Sequence, residues 1–123
     1  MNKRETWVKG EVIARDFLRS KGYAILEENY AGRMGEIDLI AKEGETIVFV
    51  EVKARENTAF GYPIEAVTPQ KVRKICLTAQ QYLVHKRLLG RDARFDVVEI
   101  LRGEIIHTEN AFTLDDAAKY CKY

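Results

Sequence analysis

The chain has 123 residues, 46% of them hydrophobic, which suits one compact domain over residues 1–123 built on a single core. Its 20 basic and 19 acidic residues nearly cancel, so bulk charge does not announce a nucleic-acid binder and any such role must rest on local clustering. Cys76 and Cys121 stand far apart with no CxxC or Cys/His spacing, which excludes a zinc pattern or a disulfide framework and reads as reduced thiols in a cytoplasmic protein.

At the start, Met1-Asn2-Lys3-Arg4 is basic, but Glu5, Lys9, Glu11, Arg15 and Asp16 follow where a signal peptide needs an uncharged apolar stretch, and no apolar run is long enough to span a bilayer. From Thr6 to Ser20 the apolar residues Val8, Val12, Ile13 and Phe17, with Trp7, Ala14 and Leu18, recur at helical spacing, and Gly22 supplies a left-handed cap. Tyr23 to Tyr30 reads as an edge strand. Gly35 to Lys42 and Thr46 to Arg55, rich in Ile, Val and Phe, flank Glu43-Gly44-Glu45 as a tight β-hairpin. Asn57 to Pro63 reads as a loop. Thr68-Pro69 then offers an N-cap followed by proline at the first helical position, and Val72, Ile75, Cys76, Ala79 and Leu83 continue as an apolar stripe up to a stop at Gly90. Phe95 to Leu101 and Glu104 to Thr108 flank Arg102-Gly103 as a second hairpin, and Leu114 to Tyr123 adds a short helix. The order αβββαββ predicts an α/β fold with a central mixed β-sheet flanked by helices.

The first hairpin carries the chemistry. With Gly44-Glu45 as a two-residue turn, Asp38 falls directly across from Glu51; with Glu43-Gly44 as the turn, the two are diagonal neighbours. Either register puts both carboxylates on one face together with Phe49 and Lys53, while Val48, Val50 and Val52 point to the other face. Glu51 and Lys53 are out of pattern in an otherwise apolar strand. Two ionised carboxylates this close repel by about 4 kcal/mol at ~4 Å and an effective dielectric of ~20, so something positive belongs between them. Lys53 is one candidate. A magnesium or manganese ion is another, since magnesium commonly takes one or two carboxylates, waters and a substrate phosphate. Such a site hydrolyses phosphodiesters, the metal acidifying a water and Lys53 positioning or stabilising the attacking hydroxide. The plain alternative is a cross-strand lysine–carboxylate cluster on a solvated face.

Glu11 lies in line with Trp7, Ala14 and Leu18, on or beside a helix face that is otherwise buried. It either caps a structural Lys or Arg or leans over the hairpin as a further metal ligand or outer-sphere contact. Glu36 shares the Asp38 face as a solvated rim residue, and Glu65 is a near-site acid or a surface group. Arg33, Arg55, Gln70 and Lys71, with Arg73 and Lys74, lie near the hairpin in sequence order and are candidate phosphate contacts; for Gln70 and Lys71, ordinary helix-start polarity is the competing reading. Lys86, Arg87, Arg91 and Arg94 cluster at the far end of the second helix, where phosphate contact and a solvated helix face are the two readings. His85 and His107 lack a paired ligand spacing and receive no role.

The motifs GEIDLIA (35–41) and VFVEVKAR (48–55), preceded by Gly10-Glu11 and followed by Ala66-Val67-Thr68-Pro69-Gln70-Lys71, resemble the bacterial YraN family. That family is similar to archaeal Holliday-junction resolvases and to the PD-(D/E)xK restriction-endonuclease-like proteins. The resemblance covers roughly Gly10 to Glu99. It implies a restriction-endonuclease-like fold in which Glu11, Asp38, Glu51 and Lys53 match the acidic helix residue, the metal-binding aspartate, and the glutamate and lysine of the ExK strand. Ile37 stands where the superfamily's name has proline. The expected function is magnesium- or manganese-dependent cleavage of branched or damaged DNA, with a homodimer presenting two sites to two strands. A nucleic-acid-binding module without turnover and a protein–protein adaptor are the alternatives; an intact set of acids and lysine favours the nuclease, because a pure binder has no need for carboxylates facing phosphate.

Overall fold

A computed structural model describes residues 3–55 and 68–112, with the side chains of residues 10–54 in the first stretch. The loop expected at 57–63 and the helix expected at 114–123 lie outside the described residues, as do Glu65 and Cys121. The described elements are α1 (Lys3–Ser20), β1 (Ala24–Ala31), β2 (Glu36–Glu43), β3 (Thr46–Arg55), α2 (Pro69–His85), β4 (Ala93–Leu101) and β5 (Glu104–Phe112), in the expected order αβββαββ. The strands make one mixed sheet in the spatial order β1-β2-β3-β4-β5. Neighbours are antiparallel except β3 and β4, which run parallel. A parallel pair cannot be closed by a tight turn, and the segment carrying α2 makes the crossover.

Local chemistry sets the element ends. After α1, Gly22 takes φ +93° while its N–H reaches Arg19 O at 2.9 Å and Tyr23 N–H reaches Leu18 O at 3.0 Å, a Schellman close that turns Tyr23 back onto the helix. Thr68 caps α2, its hydroxyl accepting from Lys71 N at 3.3 Å, with Pro69 directly behind. Contrary to expectation, α2 does not run to Gly90. Arg87 adopts φ +57°, and Arg87 N–H to Val84 O and Leu88 N–H to Leu83 O close the helix at His85, while Leu88 folds back against the core. Gly44 opens the first hairpin turn at φ +59°, so Gly44-Glu45 is the two-residue turn and Glu43 pairs with Thr46. At the second hairpin both Arg102 and Gly103 have positive φ, the type I′ pattern.

Helices cover both faces of the sheet. Ala14 and Leu18 of α1 pack on Leu39, Ala41, Val48, Val50, Val52 and Val98, whereas Ile75, Ala79, Tyr82 and Leu83 of α2 pack on Ile40, Ile47, Phe49 and Phe95. The α1 stripe is narrower than expected, for Val12 is 40% exposed. With Phe49 buried beneath α2 as fully as Val48 and Val50 are beneath α1, β3 is an interior strand, and its polar residues Glu51 and Lys53 are half-buried. Among the described residues no helix is long and apolar enough to cross a membrane.

Candidate metal centre

Three buried or half-buried carboxyls meet where β2 parts from β3. The ladder between these strands runs from Glu43↔Thr46 to Leu39↔Val50. One step further, the Asp38 side chain takes over from the backbone: its Oδ2 accepts Val52 N–H at 2.8 Å. The aspartate therefore fills a ladder position in the plane of the sheet, between the two helical layers. Glu11 comes from α1. A Cβ on Gly10 would stand 2.7 Å from Ala54 Cβ, so only glycine lets α1 lie this close to β3, and that approach brings Glu11 against Asp38. Glu11 is buried, and its Oε1 has no hydrogen-bond partner. Lys53 Nζ stands 4.0 Å from Glu51 Oε2, and both side chains are largely shielded.

The electrostatics follow from this placement. Burial first, then the charge of Asp38, pushes the Glu51 carboxyl up to about 8 against the pull of Lys53 and Lys71. Burial and then Asp38 push Glu11 up to about 7, with a hydrogen bond from Asn29 working against them. Burial also raises Asp38, opposed by Val52 N–H, Lys53 and Glu11. The contact between Glu11 and Asp38 raises the first and lowers the second, so the two carboxyls titrate as a pair. Among the described residues no three His, Cys, Asp or Glu side chains form a ready-made cage. Magnesium does not require one: Asp38 and Glu51, with waters and a substrate phosphate, match its usual demand, and the unpartnered Glu11 Oε1 is a further hard oxygen.

The remaining expected residues fall as follows. Lys71 is exposed in the first turn of α2 and acts on Glu51 through its charge; Gln70 is exposed beside it. Arg33 is exposed in the β1–β2 turn, its backbone N–H bound by Gln81 Oε1 at 3.1 Å. Arg55 ends β3, with its side chain outside the described residues. Glu36 is exposed at the rim and raises Asp38 by its charge. An open groove of about 780 Å³ between β1 and α2, lined by Glu27, Tyr30, Gln80, Gln81 and Lys86 among others, includes none of Glu11, Asp38 and Glu51.

Sequence reasoning missed two features. Glu99, buried on β4, stands abreast of Lys53 in the parallel register, and its signal was the same as that of Glu51: an acid inside an apolar run. His107 is not solitary. Lys21 Nζ, which can only donate, lies 2.7 Å from its Nδ1, so its Nε2–H goes to the buried Asp96, also at 2.7 Å. Arg94 joins them, bound to Asp96, Glu43 and Tyr23 rather than to a solvated helix face; Arg91 pairs with Glu45 and Lys86 with Glu27. Burial acts to raise Asp96, but His107, Arg94 and Asn110 N–H together hold it below the usual carboxylate range.

A five-stranded mixed sheet with a helix on each face, in the order αβββαββ, is a restriction-endonuclease-like fold. Residues 10–100 match the profile of the Uncharacterised protein family UPF0102. The chain is 47% identical to a UPF0102 protein of Persephonella marina over 89% of its own length and 97% of the relative's, and 46% identical to one of Clostridioides difficile over 91% and 100%. It is also 49% identical to one of Geotalea daltonii over 85% and 87%. The chain belongs to this family, the YraN family that its motifs resemble.

Proposed function

We propose that this protein is a magnesium- or manganese-dependent endonuclease that hydrolyses phosphodiester bonds in branched or damaged DNA. The observation that carries the reading is the gathering of the shielded Glu11, Asp38 and Glu51 carboxyls, with Lys53 beside Glu51. Carboxyls gathered for stability alone would have every buried oxygen satisfied. Here the Oε1 of Glu11 has no partner, and Glu11 and Glu51 are raised toward neutrality. Asp38 and Glu51 would hold the ion, with Glu11 as third donor or outer-sphere contact. When bound, it supplies Lewis-acid charge to the phosphoryl oxygens and acidifies water. Lys53 orients the attacking water and stabilises the charge that develops on it. Arg33, Arg55, Gln70 and Lys71 would meet the phosphate backbone, and a homodimer would present two sites to two strands.

The test is cleavage of a labelled four-way junction with magnesium or manganese. Wild type should cut. Asp38→Asn should lose both metal binding and cleavage, and Lys53→Ala should keep fold and DNA binding but not cut. Unimpaired cleavage by both variants excludes the assignment, and DNA binding without turnover by wild type moves the protein to the binding-module class.

A further inference from the structure

In the β1–β2 register, Glu28↔Leu39 and Tyr30↔Ile37 flank the position where Asn29 stands opposite Asp38. A regular strand puts residues two apart on one face. Here both strands break that rule at the same point. Leu39 packs in the cluster under α1, but Ile37 packs in the cluster under α2. Likewise Glu28 pairs with Arg15 of α1 at 3.2 Å, while the Tyr30 ring meets Tyr82 of α2 at 5.1 Å. The residue at the flip, Asn29, has φ +52°. Left-handed backbone is open to glycine and, among side-chain-bearing residues, chiefly to Asn and Asp. A local defect of this kind re-aims a neighbouring side chain. What it re-aims is Asp38, whose carboxylate leaves the alternation of faces and reaches Val52 N in the sheet plane.

The Asn29 side chain has a second use. It faces the Glu11 carboxyl and favours its charged form, while Glu11 Oε1 keeps no partner. A neutral donor that fixes a carboxyl and leaves one of its oxygens open is the usual arrangement around a metal ligand. Two of the three candidate ligands, Asp38 from β2 and Glu11 from α1, are thus set by one residue of β1.

We propose that Asn29 is a positioning residue of the metal centre: its left-handed backbone turns Asp38 into the gap between β2 and β3, and its amide orients Glu11 toward the same cation. The inference rests on the metal reading above. Its two parts are separable, because glycine keeps the backbone without the amide, whereas alanine strains the backbone and also lacks the amide.

Manganese binding to the intact, full-length protein is measured by calorimetry for wild type, Asn29→Gly, Asn29→Ala and Asp38→Asn. Asn29→Gly should melt close to wild type yet bind manganese about tenfold or more weakly. Asn29→Ala should lose both affinity and melting temperature. In a Glu11→Gln background, Asn29→Gly should cause no further loss. Equal affinity of wild type and Asn29→Gly, or losses that simply multiply with Glu11→Gln, overturns the inference and leaves the metal reading standing. No manganese binding by wild type sinks the metal reading, and the inference with it. A measurement on wild type needs no change at position 29: the side-chain amide resonance of Asn29 should move when magnesium saturates the site and stay still in Glu11→Gln. A resonance that ignores magnesium in wild type overturns the inference.

Discussion

Glu51→Gln separates a metal centre from a structural ion pair through its dependence on pH. Burial first and Asp38 second push the Glu51 carboxyl from the ordinary 4.5 to about 8. Between those values the folded chain holds more protons than the unfolded one. The associated stability is complete below pH 4.5 and is lost as pH rises through about 8. At about 1.4 kcal/mol per pH unit, the gap corresponds to a ceiling of about 5 kcal/mol, and because Glu11 and Asp38 titrate with Glu51 the three share that loss. Glutamine has no charge to expel. It forgoes only the 4.0 Å pairing with Lys53, worth about 1 kcal/mol or less. Urea unfolding in EDTA should therefore find the variant near wild type at pH 5 and more stable by about 2 kcal/mol or more at pH 9. Magnesium at pH 9 should then stabilise wild type alone and narrow the difference. If the variant is the less stable protein at pH 9, Glu51 is a salt-bridge partner of Lys53 and the electrostatic reasoning is refuted.

Asp38→Asn keeps an oxygen for Val52 N–H and should leave the metal-free fold as stable as wild type or more so, whereas Asp38→Ala orphans that N–H and should be destabilised by about 1–3 kcal/mol in denaturant titrations. Arg94→Met removes a cation from the buried Asp96 and should destabilise by about 3 kcal/mol, with no change in any manganese affinity by calorimetry, since the cluster includes none of Glu11, Asp38 and Glu51. Branched DNA should bind with affinity that falls steeply with salt and little sequence preference in fluorescence anisotropy; a salt-insensitive signal favours the adaptor class.

Much of this was legible. Gly44 between two apolar runs marked the hairpin but left two registers open until the Glu43–Thr46 pairing chose between them, and Glu51 and Lys53 stood out because an interior strand has no reason to carry them. Glu11 was readable because it sits one residue beyond Gly10 on the stripe of Ala14 and Leu18. Parity failed at Asp38. It counts residues along an ideal strand, and the left-handed Asn29 across the ladder removes that ideality at one point. The end of α2 was hidden for a similar reason: Arg87 does the work ordinarily given to glycine. His107 looked solitary because its partners, Lys21, Asp96 and Arg94, come from three distant stretches that only the assembled sheet brings together.

The single parallel joint in the sheet bears on how the protein reaches its native state. Glu11, Asn29, Asp38, Glu51 and Lys53 all lie on α1, β1, β2 and β3, which close through short turns and make mostly local contacts. The nine-pair ladder between β3 and β4 instead requires the chain from Arg55 to Ala93 to loop back, an entropic demand that must be met before any pairing rewards it. Refolding should consequently pass its main barrier on docking of the β4–β5 hairpin. Pulse-labelled hydrogen exchange should show the amides of the β2–β3 ladder protected no later than those of β4. The acids would then be gathered while β3 still lacks its second neighbour, and a divalent ion present at that moment would quicken folding as well as stabilise its product, an effect visible as a magnesium-dependent refolding limb in stopped-flow fluorescence of the chain.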